Sequence, residues 1–263
     1  MPRFSANLSM LFPEVPFLDR FAAAKNAGFE GVEYMFPYAY PKRDLADRLK
    51  ALGLQQILFN LPAGDWDKGE RGIACHPARV GEFRTGVGEA IEYAKALGCP
   101  QVNCLVGLAA SDVDAQVQRE TLVSNLRFAA ETLKSEGIIL LIEPVNTYDI
   151  PGFYLNLSDQ AIRIIGDVGS ENLKLQYDIY HMQRMEGELA NTLAKLLPHI
   201  AHVQVADNPG RHEPGTGEIN YPFLFEHLDR LGYAGWVGCE YKPRGETQAG
   251  LAWLSRSARP VEA

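Results

Sequence analysis

The sequence predicts an α/β fold, a closed (β/α)8 TIM barrel, on three observations. Eight short apolar runs rich in β-branched and aromatic residues alternate with longer stretches of helical period, as repeated βα units require. Glycines end the helical stretches at Gly28, Gly53, Gly98, Gly137 and Gly232, each followed within a few residues by a strand. The length of 263 residues suits one barrel better than two small domains, so a single domain over 1–263 is expected. An open doubly wound sheet fits less well, because eight is the number of strands that closes such a barrel.

In order, the expected strands are 4–12 (FSANLSMLF), 31–36 (GVEYMF), 54–62 (LQQILFNLP), 101–107 (QVNCLVG), 138–145 (IILLIEPV), 173–180 (LKLQYDIY), 201–207 (AHVQVAD) and 235–242 (GWVGCEYK). Between them run amphipathic stretches such as VPFLDRFAAAKNAGF, FRTGVGEAIEYAKALG and ETLVSNLRFAAETLKSEG, with apolar residues three and four apart. Two connections exceed what a turn requires: 63–77 (AGDWDKGERGIACHP) after the third strand and 208–220 (NPGRHEPGTGEIN) after the seventh. Both leave strand C-termini, the face on which barrel enzymes build their sites, and both are candidate substrate loops. The GTG at 215–217 matches neither phosphate-binding glycine motif and reads as a turn.

A formal charge of −8 gives no electrostatic reason to approach a phosphate backbone or an anionic membrane, so neither is an expected partner. Cys75, Cys99, Cys104 and Cys239 show no CxxC pairing or zinc spacing and read as free thiols. The opening MPRFSANLSMLF lacks signal-peptide character and no run approaches eighteen apolar residues, from which a soluble, cytoplasmic protein is expected.

Four polar residues end consecutive expected strands: Glu143 in LLIEPV, Asp178 in KLQYDIYH, Gln204 in HVQVADN and Glu240 in WVGCEYKP. Residues two apart on a strand share a face. Pointing these inward puts all four in one layer at the barrel mouth, above Leu141, Gln176, His202 and Gly238. Uncompensated buried carboxylates are costly, so three acids and an amide in one place require a cation, shared protons or both. Oxygen donors alone suit a hard divalent ion, Mg²⁺ first, then Mn²⁺, with Co²⁺ as a substitute. An ion chelated by a carbonyl and its neighbouring hydroxyl acidifies the C–H between them and favours an enediolate. Glu143 and Glu240 lie three strands apart and can flank a substrate as an acid/base pair, while Asp178 and Gln204 serve chiefly as metal ligands.

Around this set, His181 either polarises a substrate oxygen or caps the barrel rim. Arg211 in the seventh-strand loop either binds an anionic or hydroxyl group of the substrate or is solvated, and Lys68 and Arg71 in the third either hold a substrate carboxylate, Arg71 bidentately, or are surface cations. His202 and Gln176 are placed to orient the ligands from beneath. Asn7, Glu33, Asn60 and Asn103 are further candidates to line the mouth.

With these residues in view, the chain resembles the xylose isomerase-like barrel superfamily and, within it, the hydroxypyruvate isomerases. The likeness is carried by RFSANLSMLF, GVEYMFPY, NLPAGDWDKGERGIAC, LLIEPVN with DIPGF, LKLQYDIYHMQRMEGEL, ADNPGRHEPGTGEINY and GWVGCEYKP, and so spans nearly the whole sequence. The resemblance implies reversible isomerisation of hydroxypyruvate and tartronate semialdehyde (2-hydroxy-3-oxopropanoate), through a metal-bound enediolate, with Glu143 and Glu240 as acid and base. It implies a metal site at Glu143, Asp178, Gln204 and Glu240, a small 2-oxo acid as substrate and a place in glyoxylate-linked metabolism. Related ketose 3-epimerases often carry histidine where Gln204 stands, and this departure favours a hard ion. Isomerases of a longer 2-oxo acid, a 2-oxo-tetronate, share ANLSM and GCEYKP, and stay open as an alternative, as does a ketose 3-epimerase. A repair endonuclease of the same fold would need more histidine ligands and a basic groove. Which glutamate takes the first proton stays open, and a homo-oligomer is compatible with the sequence.

Overall fold

The computed structural model describes residues 2–257. The apolar runs become strands because both of their faces are buried, one against helices and one inside the barrel. The strands are β1 (Arg3–Asn7), β2 (Gly31–Glu33), β3 (Gln55–Asn60), β4 (Gln101–Cys104), β5 (Ile139–Ile142), β6 (Leu173–Asp178), β7 (Ile200–Val205) and β8 (Trp236–Cys239). They pair in parallel in chain order, and β1 closes onto β8 through Arg3↔Trp236, Phe4↔Val237, Ser5↔Gly238 and Ala6↔Cys239. Closure leaves the sheet without a free edge.

The main outer helices are α1 (Arg20–Asn26), α2 (Lys42–Leu52), α3 (Val80–Leu97), α4 (Ala115–Lys134), α5 (Ser158–Val168), α6 (Ile179–Met185), α7 (Leu189–Leu196) and α8 (Tyr221–Arg230). Their stripes bury Phe21, Leu45, Phe83, Leu122, Leu126, Ile164, Leu193 and Leu228 in one core with strand residues such as Val32, Phe59, Val102, Leu140, Leu175 and Val237. Each such side chain contributes roughly 1.5–3 kcal/mol of burial. Gly53 and Gly98 close α2 and α3 in the left-handed region, at φ 61° and 62°, a conformation other residues adopt only with strain. No helix among the described residues is long and apolar enough to cross a membrane.

Several strands end earlier than the apolar pattern predicts, for a local reason. After Asn7 the chain turns, with Asn7 Oδ1 accepting from Ser9 N at 3.1 Å and Asn7 O accepting from Leu11 N at 2.8 Å. The sixth strand ends at Asp178, not at residue 180, because Asp178 Oδ1 accepts from Tyr180 N at 2.8 Å and caps α6. Glu143 and Glu240 likewise stand one residue beyond β5 and β8.

The barrel interior is polar where an ordinary core would be aliphatic. Glu33, 1% exposed, accepts from Ser5 Oγ at 2.8 Å, Asn7 Nδ2 at 3.3 Å and Gln204 Nε2 at 2.8 Å, and His202 Nε2 lies 2.9 Å from it. Burial alone would raise its protonation range, but His202, Gln204 and Ser5 hold the carboxyl below the usual value. Gly238 makes the space: a Cβ there would stand 2.3 Å from Glu33 Oε1.

Candidate active site

At the C-terminal ends of the strands lies a cavity of about 640 Å³, lined by Glu143, Asn60, His181, Gln204, Arg211 and Glu240 among others. Both long connections reach it, 63–77 through Trp66 and Arg71 and 208–220 through Asn208 to Arg211. The GTG segment is a turn, with Gly215 N donating to Asp207 Oδ2 at 2.8 Å and Thr216 N to Glu213 O at 3.1 Å.

Glu143 Oε2 accepts from Asn103 Nδ2 at 3.0 Å, which leaves Oε1 toward His181 Nε2 at 3.9 Å. Asp178 spends Oδ1 on the α6 cap, and among the described residues its buried Oδ2 has no hydrogen-bond donor. Beside Oδ2 stand His181 Nε2 at 3.5 Å and Arg211 Nη2 at 3.7 Å. Glu240 Oε2 pairs with the same Arg211 Nη2 at 3.2 Å. One atom each of Glu143, Asp178 and His181 falls within 4.8 Å of the others, close enough to share an ion.

Gln204 sits lower than the sequence argument puts it. Its register partners are Asp178 on β6 and Gly238 on β8, so it is level with the residue two before Glu240. The stagger of strands around a closed barrel has this effect, which face alternation on one strand cannot reveal. Its Nε2 donates to Glu33 and its Oε1 accepts from Gln176 Nε2 at 2.6 Å. A carbonyl oxygen keeps a second lone pair for a ligand. Gln176 thus orients Gln204, while His202 acts one step further away on Glu33.

Electrostatics set this cluster apart. Burial, then Glu240 and Asp178, pushes Glu143 well above the usual carboxylate range. Burial raises Asp178 to about 6 and Glu240 to about 8, in each case against the pull of Arg211. His181 is pushed well below its ordinary value by burial and by Arg211 and Arg184, so the ring is neutral. Buried acids with one unpartnered oxygen have the donor chemistry that suits a hard divalent cation, and Glu143, Asp178 and His181 could hold one.

The other candidates divide. Arg71 lines the cavity, its guanidinium 4.0 Å above the Trp66 ring and its Nη1 donating to Trp66 O and Glu70 O at 2.9 and 2.7 Å. Lys68 is turned away, its side chain 83% exposed and paired with Asp65 at 2.7 Å, and it does not line this cavity. Asn7, Glu33, Asn60, Gln176 and Gln204 line the floor, whereas Asn103 acts from below through Glu143. Sequence reasoning missed Asn146, Asp149, Tyr180 and Arg184. Asp149 Oδ2 accepts from Tyr180 Oη at 2.9 Å and Asn146 Nδ2 at 3.1 Å, and its Oδ1 pairs with Arg184. A signal was available: Tyr180 and Arg184 are four apart and share a helix face once α6 is known to begin at Ile179.

The family model described as a xylose isomerase-like TIM barrel matches residues 21–257. A protein of Escherichia coli (strain K12) named hydroxypyruvate isomerase is 58% identical, over 97% of this chain and 98% of its own. A protein of Cupriavidus necator named 2-oxo-tetronate isomerase is 50% identical, over 97% of this chain and 98% of its own. Among solved structures, one from Brucella melitensis described as an AP endonuclease, family 2, superposes with a TM-score of 0.96 at 46% identity, covering 99% of this chain and 100% of that one.

Proposed function

The chain belongs to the xylose isomerase-like TIM-barrel family, and from that premise we propose that it interconverts hydroxypyruvate and tartronate semialdehyde. The observation that carries this reading is the convergence of three buried carboxylates, Glu143, Asp178 and Glu240, on one barrel mouth, each raised above the ordinary carboxylate range by burial, as suits groups that take and return a proton. Likeness to the E. coli isomerase over nearly the whole chain supports the same substrate.

Glu143, Asp178, Gln204 and Glu240 are the proposed donors to a divalent cation, Mg²⁺ first, with Mn²⁺ or Co²⁺ as substitutes. When bound, such an ion supplies Lewis-acid stabilisation to the oxygens on C2 and C3 and acidifies the C3–H bond. Of the two glutamates, one accepts the C3 proton as the bonding pair moves into a C2–C3 double bond, and a proton is returned to C2 on collapse of the enediolate. The hydroxyl proton passes from the C3 oxygen to the C2 oxygen, so the product has the composition of the substrate. Asn103 holds the Glu143 carboxylate in place through Oε2, leaving Oε1 for proton transfer. Arg211, beside Glu240 and Asp178, and Arg71 at the cavity wall are the proposed receptors for the substrate carboxylate.

An endonuclease reading is disfavoured by a net charge of −8, which repels a phosphate backbone. The test is ¹H NMR of metal-supplemented protein with hydroxypyruvate in D₂O, beside an EDTA-treated sample and a 2-oxo-tetronate. Conversion with deuterium uptake, abolished by EDTA, is expected. Turnover of the tetronate alone keeps the chemistry and moves the substrate to the longer acid; inertness to both removes the reading.

A further inference from the structure

Asn146 is fully buried, three residues beyond Glu143, and the orientation of its amide is determined by its neighbours. Its Oδ1 accepts from two backbone donors, Tyr148 N at 3.1 Å and Asp149 N at 2.8 Å. The NH₂ group must therefore face the other way, where it lies 3.1 Å from Asp149 Oδ2 and 2.6 Å from His181 Nδ1. Turning the amide over would set its oxygen against the Asp149 carboxylate and its hydrogens against two N–H groups. Asp149 is itself held from α6, by Tyr180 Oη and Arg184, so the arrangement is pinned from both sides.

A donor directed at Nδ1 leaves that nitrogen only the role of acceptor, and a neutral imidazole whose Nδ1 accepts carries its proton on Nε2. The surroundings of Nε2 agree, since two acceptors flank it, Asp178 Oδ2 at 3.5 Å and Glu143 Oε1 at 3.9 Å. We propose that Asn146 is a positioning residue that locks His181 in the Nε2–H tautomer, making the ring a fixed hydrogen-bond donor to the reacting substrate oxygen and barring it from the metal, despite its place among possible ligands. The donor role rests on the isomerase reading; the tautomer does not. An N–H directed where negative charge gathers on oxygen stabilises the transition state without needing to reorient.

The test uses the full-length protein labelled with ¹⁵N-histidine, without added metal or substrate. A long-range ¹H–¹⁵N correlation, with His181 assigned by the signals missing from His181→Gln, is expected to show a protonated Nε2 and a lone pair on Nδ1. In Asn146→Asp, whose carboxylate accepts but cannot donate, the pattern is expected to invert to Nδ1–H; in Asn146→Leu, with no group to choose between them, both tautomers appear. Protonation of wild-type Nδ1, alone or together with Nε2, overturns the proposal, as does an unchanged pattern in both variants. The wild-type spectrum needs no variant at position 146 to fold. With substrate, Asn146→Asp is expected to lower kcat by about a hundredfold, the usual cost of one transition-state donor, with KM within about threefold. Unchanged kcat in a variant whose tautomer has inverted removes the donor role. Because the tautomer is read without substrate, it can fail while the isomerase reading stands, or stand while that reading fails.

Discussion

Glu143 and Glu240 share a barrel mouth and the field of Arg211, but only Glu240 pairs with it directly. Arg211 Nη2 stands 3.2 Å from Glu240, whereas Glu143 has a neutral amide, Asn103, at 3.0 Å. That difference leaves Glu143 more dependent on a bound cation or a proton. Replacing either by glutamine keeps the shape and removes the titrating group. Glu143→Gln or Glu240→Gln is expected to lower turnover by at least about a hundredfold, with an unchanged far-UV circular dichroism spectrum. Near-wild-type turnover in either variant would remove that residue from the mechanism. At this scale the acids stood out in the sequence because four polar residues end consecutive apolar strands, whereas any one of them alone would read as a salt-bridge partner or a rim residue. Asn146 was not, because an asparagine after a strand is ordinary and its value lies in the partners it meets.

Individual strands determine how high in the barrel each residue sits. β8 contributes Gly238, whose missing side chain admits Glu33 from across the interior. Glu33 in turn holds the amide of Gln204. Gly238→Ala is therefore expected to crowd a carboxylate that cannot leave its partners, at about 1–3 kcal/mol. Urea unfolding would register this as a lower midpoint at constant slope, and an unchanged midpoint would mean that Glu33 has room to move. Face alternation predicted which strand residues turn inward. It did not predict that Gln204 pairs with Gly238 and not with Glu240, since register across neighbouring strands follows from barrel closure.

For the whole molecule, the ring of strands concentrates acids in a place that water cannot screen. A divalent ion binding only the folded state stabilises it by about 2.7 kcal/mol at a hundredfold excess over Kd, or about 5–10 °C in Tm for a chain of this size. Mg²⁺ or Mn²⁺ is expected to produce such a rise by differential scanning calorimetry, and Asp178→Asn to abolish it. Asp178 and Glu240 are raised to about 6 and about 8, so acidification protonates them and the metal-induced rise shrinks as pH falls through that window. Without metal the sign is opposite. Groups whose folded values are raised bind protons more readily in the folded state, so the metal-free protein gains stability as pH falls from about 8 toward 6. A metal-free Tm that falls over the same interval would contradict this assignment of the burden.

By itself the sequence determined the barrel, the order of its strands and the identity of the acids at their ends. Those features follow from local rules: apolar periodicity, helix-ending glycines, and a charged residue at the close of each of three strands. Only the tertiary structure decided which atoms remain unsatisfied. Asp178 Oδ2 is left without a donor, Lys68 is turned to Asp65, Gln204 is lowered onto Glu33, and Asn146 is aimed at His181 Nδ1. The physical reason is that hydrogen-bond direction and barrel stagger depend on groups distant in sequence and brought together only by closure.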